Sequence, residues 1–429
     1  MKAEETVAGY RKTTWIVHGA GRTRKWDFAH HVVPPMTSSS TYRLQSAERG
    51  ARGFRDYGKP VGDQGGPVYI YDRLDDPTRE LLEGELARLE NGEACLTFAS
   101  GMAAVSAALG AVLKAGDEVL AHDLLYGCTH SLFERWYPRQ GIRVRRADFR
   151  DPRAVAEAIT PATRLLYCET PVNPTLDLVD LQALAKARDA ANKARAAERR
   201  LILVVDSTFA TPFCQRPIER GADVVVHSLT KNLGGFGTDV GGAVVCPESL
   251  YGDLKWYRKD FGGVLSPKSA WAVLVYGLPT LPVRLKRQQY SALRVARWLE
   301  KSPLVKEVRY PGLESFPQRS LARRQMTDFD GDFAPGNMIY FRLDSRRIDP
   351  VAFVDDVAAN AYSITLAVSL GHTKTLIEMP SAMTHSAYAG AGAMRGVDGV
   401  RLSIGLESPS DIIRDIEASL ARAKRLRRK

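Results

Sequence analysis

The sequence predicts an α/β fold, with a mostly parallel sheet of seven strands, helices on both of its faces and a smaller α+β domain after it. Two observations predict this architecture. Seven short apolar runs lie between residues 94 and 246, and amphipathic helical stretches separate the first five. From about residue 283 onward, helix and strand patterns are mixed rather than alternating. The 429 residues are 45% hydrophobic and 25% charged, which excludes a disordered or collagen-like chain.

The elements predict three regions. Clustered Gly, Ser, Arg and Pro residues predict an irregular arm over 1–75 that wraps its own chain or a neighbour. The large domain, 76–282, holds the seven predicted strands, of which the third is the weakest: 94–100, 118–122, 143–148, 164–169, 201–206, 223–228 and 241–246. The remaining domain, 283–429, is predicted to begin with a long helix, followed by strand, helix, strand and helix patterns: 284–302, 337–344, 351–360, 400–407 and 411–426.

Charge and cysteine content narrow the class of protein. The net charge of +11 would favour binding of nucleic acid or of an anionic ligand, but the sequence has no basic patch interleaved with aromatic residues. We therefore expect no nucleic-acid partner. Five scattered cysteines, an odd number without a CxxC pair, predict a reducing, cytoplasmic location and no zinc site. No apolar run is long enough to cross a membrane, so we expect no membrane partner, and no metal motif is present.

Candidate functional residues stand where three predicted strands end, the edge at which open α/β sheets bind ligands. Asp206 ends one run, Lys231 follows the next by three residues, and Ser100-Gly101-Met102 joins the first run to an apolar helix. In the ordinary interpretation, Asp206 caps a turn, Lys231 is a solvated loop lysine, and Ser100-Gly101-Met102 is a common strand-to-helix turn. In the chemical interpretation, Asp206 is an acid that faces a cation, Lys231 is an amine nucleophile, and Ser100-Gly101-Met102 forms an anion site of backbone N–H groups.

Taken together, these three features indicate pyridoxal phosphate, a cofactor that needs a Schiff-base lysine and a partner for its pyridine nitrogen. The nearby glycines do not complete a nucleotide motif. Read from Gly235, the GxGxxG template meets Val240 where glycine is required, and no GxxxxGK[ST] motif occurs.

The chain resembles the Cys/Met-metabolism pyridoxal-phosphate enzymes: cystathionine γ-synthase, cystathionine γ-lyase, methionine γ-lyase and the O-acylhomoserine sulfhydrylases. The resemblance runs from PPMTSSSTY to VRLSIGLE, with its most specific stretch in VVDSTFATPFCQRPIERGADVVVHSLTKNLGG. It implies fold type I, the aspartate aminotransferase-like transferase fold. It also implies that Lys231 holds the cofactor as a Schiff base and shuttles protons, and that Asp206 pairs with the pyridine nitrogen.

The resemblance assigns further roles in the same way. Tyr126 would stack on the ring and assist the leaving group. The other implied residues lie against the ring (Thr208, Asn173), bind the phosphate (Gly101, Met102, Ser228, Thr230), hold the substrate carboxylate (Ser369, Arg401), or reach a neighbouring subunit's phosphate through a YxR motif (Tyr71, Arg73). The YxR motif implies an obligate homodimer with shared sites, two of which form a homotetramer.

The implied reaction is a carbon–sulfur γ-elimination from L-cystathionine or L-methionine, which yields 2-oxobutanoate and ammonia. The alternative is γ-replacement on an O-acylhomoserine, and an aminotransferase is a further rival. Cys128 resembles the methionine γ-lyase version, whereas Lys374 and the stretch GTDVGG resemble the sulfhydrylases. Asp76 and Phe236 stand where relatives carry Asn and His, and the segments 46–68 and 328–336 are longer than usual.

Overall fold

The computed structural model describes residues 10–19, 31–59, 68–383 and 398–426. Residues 60–67, which belong to the longer segment 46–68, therefore lie outside the described residues. No helix within the described ranges combines the length and the apolar character that crossing a bilayer requires.

The larger sheet has seven strands, as predicted, in the order β1-β7-β6-β5-β4-β2-β3. Six run parallel, and β7 pairs antiparallel with both β1 and β6. Only a short connection separates β6 from β7, so no crossover helix can return the chain to a parallel direction. The strands are β1 Ala94–Phe98, β2 Glu118–His122, β3 Arg143–Ala147, β4 Thr163–Glu169, β5 Ile202–Asp206, β6 Val224–Ser228 and β7 Gly242–Cys246.

Helices cover both faces of this sheet, where two apolar clusters form its core. Two short helices, α1 and α2, lie in the arm that the sequence predicted to be irregular. The helices of the arm and large domain are α1 Lys12–His18, α2 Ala47–Arg55, α3 Pro77–Leu89, α4 Gly101–Gly110, α5 Gly127–Ser131, α6 Pro152–Ala158, α7 Leu181–Asn192, α8 Thr211–Cys214, α9 Glu248–Phe261 and α10 Pro267–Ala272. Single π or 3₁₀ turns occupy Leu132–Trp136, Pro138–Gln140, Ala197–Arg199, Ile218–Arg220, Leu229–Leu233 and Val273–Gly277.

The second sheet has five strands in the order β10-β11-β12-β9-β8, with only β10 and β11 parallel. Its strands are β8 Val305–Arg309, β9 Met338–Leu343, β10 Ile364–Leu366, β11 Thr375–Glu378 and β12 Val400–Ser403. The helices beside it are α11 Leu278–Lys301, α12 Arg319–Gln325, α13 Pro350–Asn360 and α14 Pro409–Leu426, with a 3₁₀ turn at Pro380–Ala382. The predicted fold class, a mostly parallel sheet followed by a smaller α+β domain, is confirmed.

Helix α11 joins the two sheets. Leu281 and Leu285 in its first half are buried in the core of the larger sheet, whereas Val295 and Leu299 in its second half are buried in the core of the smaller one. The boundary predicted between residues 282 and 283 thus falls inside a continuous helix. One helix therefore contributes to the cores of both sheets.

Candidate active site

A cavity of about 690 Å³ opens at the carboxyl ends of β4, β5 and β6, between the two sheets. This is the position at which open α/β sheets bind ligands. Ten of the thirteen predicted site residues line the cavity: Gly101, Met102, Tyr126, Asn173, Asp206, Thr208, Ser228, Lys231, Ser369 and Arg401.

One end of the cavity is formed by the start of α4. The Ser100 side chain caps this helix by accepting the Ala103 N–H at 3.1 Å, and the two preceding residues, Gly101 and Met102, line the cavity. A Cβ on Gly101 would lie 2.9 Å from the Ser228 Cβ, so only glycine allows α4 to begin this close to the end of β6. Backbone donors and the Ser228 hydroxyl therefore meet at one point, an arrangement that suits a phosphate.

Asp206 lies at the end of β5, beside the neighbouring strand's last residues. Its carboxylate accepts the Thr208 N–H at 2.9 Å, and the Thr208 hydroxyl accepts the Ser228 N–H at 2.9 Å. These bonds fix the turn after β5 against β6. Burial raises the pKa of Asp206, so a cation bound to this carboxylate would stabilise its ionised form. A protonated ring nitrogen is such a cation.

Lys231 departs from helical geometry, with φ −93° and ψ −138°, inside the short helical turn that follows β6. Its Nζ donates a hydrogen bond to the Ser369 Oγ at 2.7 Å. Burial, together with the positive charge of Arg401, lowers the pKa of the Lys231 amine to about 8. A substantial fraction of the amine is therefore neutral near pH 8, as a nucleophile or proton acceptor requires.

Arg401, on β12, is 3% exposed and is held by three groups. Its guanidinium donates to the Asn173 Oδ1 at 2.7 Å and the Ser369 carbonyl at 3.0 Å, and it pairs with the Glu378 carboxylate at 2.8 Å. Because the guanidinium also lines the cavity, this network aims a fixed cation at the substrate space. The arrangement fits the predicted carboxylate-binding role.

Tyr126 stands at the start of α5 and is anchored through its backbone. Its N–H donates to the Glu169 carboxylate at 2.6 Å, while its hydroxyl accepts a hydrogen bond from the Cys128 thiol at 3.5 Å. Burial raises the pKa of the Tyr126 phenol, which keeps it protonated at neutral pH. It can therefore donate a proton to a departing group.

Three predicted site residues do not line this cavity. The Thr230 hydroxyl donates to the Gly241 carbonyl and accepts its N–H, and Thr230 lines a smaller neighbouring cavity instead. Arg73 donates to the Lys259 carbonyl of α9 at 2.5 Å and lies 5.5 Å from the Tyr71 ring centroid. The roles of all thirteen residues stay predictions, and the cavity gives no support for those of Thr230, Tyr71 and Arg73.

Two buried glutamates were missed by the sequence reasoning. Glu169 ends β4 as Asp206 ends β5, so its place at a strand end was the available signal. Glu378 ends β11, a strand the sequence pattern did not predict, and no sequence signal pointed to it. Within the described part of the chain, no group of three or more His, Cys, Asp and Glu side chains could hold a metal ion.

Pyridoxal phosphate fits the cavity on the chemistry of its lining. The start of α4 with Ser228 suits the phosphate, Asp206 suits the ring nitrogen, and Lys231 suits the aldehyde. When bound, the cofactor supplies an electron sink for negative charge at the substrate carbon.

Comparison with known proteins agrees with this fit. A family model described as Cys/Met metabolism PLP-dependent enzyme matches residues 13–421. The chain is 39% identical over 401 residues to an L-methionine γ-lyase of Pseudomonas putida, which covers 92% of this chain and 94% of the relative. It is 38% identical over 390 residues to a cystathionine γ-synthase of Mycobacterium bovis, and this alignment covers 91% of this chain and 92% of the relative.

Solved structures agree as well. A cystathionine γ-lyase from Lactobacillus plantarum complexed with L-serine matches with a TM-score of 0.81 at 32% identity, which covers 97% of this chain and 100% of that one. The predicted fold type, family and cofactor are thereby confirmed. This chain belongs to the Cys/Met-metabolism PLP-dependent enzymes.

Proposed function

We propose that this enzyme is a carbon–sulfur γ-lyase that converts L-methionine and water to 2-oxobutanoate, ammonia and methanethiol. The proposal rests chiefly on the charges in the cavity. Its charged lining residues within the described chain are Glu169, Asp206, Lys231 and Arg401. Asp206 and Lys231 suit the cofactor, Arg401 suits one carboxylate, and Glu169 bonds backbone N–H groups.

The remaining lining favours an apolar substituent. Much of it is apolar or weakly polar, including Val105, Cys128, Val368, Leu370 and Met383. The distal part of L-cystathionine carries a second ammonium and a second carboxylate, whose burial without charged partners is costly. The thioether and methyl group of L-methionine carry no charge and suit this surface. The similarity to methionine γ-lyases supports the same choice.

Each role in the proposed reaction is assigned to a different part of the cavity lining. Arg401, with Ser369, would hold the substrate carboxylate. Lys231, whose pKa is lowered to about 8, would take the proton from the substrate carbon. Tyr126, whose raised pKa keeps its phenol protonated, would donate a proton to the departing thiolate. These three roles require the groups to face one cavity, which they do.

The test is release of 2-oxobutanoate from L-methionine and from L-cystathionine, without added thiol, with Lys231→Ala as the inactive control. We expect faster release from L-methionine. Release from L-cystathionine alone would overturn the substrate assignment. A keto acid that retains the methylthio group would instead identify an aminotransferase.

The second candidate function is γ-replacement on an O-acylhomoserine, which the sulfhydrylase-like Lys374 favours. It predicts no release from either sulfur amino acid by protein that carries its cofactor. It also predicts thiol-dependent consumption of the O-acylhomoserine. Both outcomes can be measured on the same preparation.

A further inference from the structure

We propose that Glu169 is a positioning residue that holds Tyr126 and Asn173 in place at the cofactor site. This inference rests on the proposed function where it concerns Tyr126 as the proton donor. Glu169 is the last residue of β4, is 5% exposed and lines the cavity.

The geometry joins two separate loops through one carboxylate. Glu169 accepts the backbone N–H of Tyr126, which precedes α5, at 2.6 Å. It also accepts the backbone N–H of Asn173, in the loop after β4. Asn173 in turn accepts from Arg401, so the same carboxylate supports both the candidate acid and the candidate carboxylate clamp. A shift of this side chain would therefore displace two loops that line the cavity.

The charges around Glu169 explain why its carboxyl group needs the two backbone N–H donors. Glu169 pairs in register with Asp206 on the adjacent strand, so two carboxyl groups lie side by side in a buried place. Burial and the Asp206 charge raise the pKa of Glu169, whereas the two N–H donors oppose that rise. A carboxyl group at this position is unfavourable without donors, and the donors are the backbone of the two functional loops.

Glu169→Gln tests the role with little change in shape. A Gln side chain accepts N–H groups through one neutral oxygen, whereas the carboxylate offers two oxygens and a negative charge, so the hold on the two backbone donors is weakened. We expect kcat with L-methionine to fall about tenfold through Tyr126, and KM to rise severalfold because Asn173 no longer holds Arg401 in place. If Glu169 acts on the proton transfer through Tyr126, kcat of the double variant Glu169→Gln/Tyr126→Phe should be no lower than kcat of Tyr126→Phe alone. A purely structural role would make the two losses multiply.

Glu118→Gln is the matched control. Glu118 is also a buried glutamate of the large sheet, but it lies at the first residue of β2, at the opposite sheet edge, and accepts hydrogen bonds from Thr160 and Thr163. Its loss should lower the melting temperature without any coupling to Tyr126→Phe.

A second readout needs neither substrate nor cofactor. The Cys128 thiol is exposed and bonds the Tyr126 hydroxyl, while the other four cysteines are buried. Alkylation of the native protein by iodoacetamide therefore reports on the Tyr126 loop. Glu169→Gln should accelerate Cys128 alkylation severalfold, both with and without pyridoxal phosphate, and Glu118→Gln should not.

These readouts separate the two proposals. Faster Cys128 alkylation in an enzyme that does not act on L-methionine would uphold the positioning role and refute the proposed function. An unchanged alkylation rate in Glu169→Gln, or multiplicative losses in the double variant, would overturn the positioning role.

Discussion

Lys231 is proposed both to attach the cofactor and to accept a proton, and removing its amine tests the two roles together. Lys231→Ala should remove the visible absorbance band of the bound cofactor and lower turnover at least about a thousandfold, because the covalent attachment and the proton acceptor are both lost. Absorbance spectra and 2-oxobutanoate release measure the two effects.

Lys12 offers a matched control for that variant. Burial also lowers its pKa to about 8, but its Nζ donates to the Leu89 carbonyl, at the end of α3. Lys12→Ala should therefore keep the absorbance band. A Lys231→Ala protein with an unchanged spectrum and activity would contradict the site.

The lowered pKa of Lys231 also predicts a pH profile. Only the neutral amine attacks the cofactor, so the rate of recombination of apoenzyme with pyridoxal phosphate should rise with pH and level off above about 8. The positive charge of Arg401 contributes to the lowering, so Arg401→Gln should shift the midpoint to higher pH. Stopped-flow absorbance measures the midpoint, and an unchanged midpoint would show that Arg401 does not act on the amine.

At the scale of elements, the loop between β10 and β11 carries backbone strain at the site. Ser369 has φ +95°, a conformation that residues with a side chain rarely adopt, while its hydroxyl and carbonyl contact Lys231 and Arg401. Ser369→Gly and Ser369→Ala both lose the hydroxyl, but only glycine relieves the strain. We expect Ser369→Gly to be about 1 kcal/mol more stable than Ser369→Ala by denaturant unfolding. Equal stabilities would argue against strain at this position.

A strand or helix can be predicted from the sequence where its own residues carry the pattern, but not where contacts with distant residues stabilise it. Six strands of the large sheet were predictable because burial on both faces makes them short apolar runs, whereas β3, whose sequence RVRRA is partly exposed, gave the weakest pattern. Strand β8 was not, since three of the five residues in its sequence VKEVR are charged, and β10 has only three residues. Helix α1 was missed because tertiary contacts support it: Trp15 is buried beside Arg88, and Arg11 pairs with Asp330 at 3.1 Å.

The same distinction holds within the site. Asp206 and Lys231 were found because a charge directly beyond an apolar strand is a local signal. The contacts of Glu169 with Tyr126 and Asn173 depend on loops that meet only after the chain has folded. The acidic stretch 328–336 is a further case, because its Asp330 pairs with Arg11, which lies 319 residues earlier in the sequence.

At the scale of the whole molecule, Tyr71 and Arg73 bear on how many chains build one site. Neither residue lines the cavity of its own chain, although the resemblance assigns both to a cofactor phosphate. Tyr71 is 40% exposed, which leaves its ring available to a neighbouring chain. We therefore propose that the enzyme is a homodimer in which Arg73 of each subunit completes the partner's site, and that two dimers form a tetramer.

Subunit mixing tests this arrangement. Arg73→Ala and Lys231→Ala should each be nearly inactive alone, but a mixed dimer would carry both changes in one site and neither in the other. Random reassociation of equal amounts should restore about a quarter of the wild-type activity, since half of the dimers are mixed and each has one intact site. Lys231→Ala mixed with Asp206→Ala is the control, because Lys231 and Asp206 line the cavity of one chain and every site stays damaged. Restored activity in that control, or none in the first mixture, would contradict a site shared through Arg73.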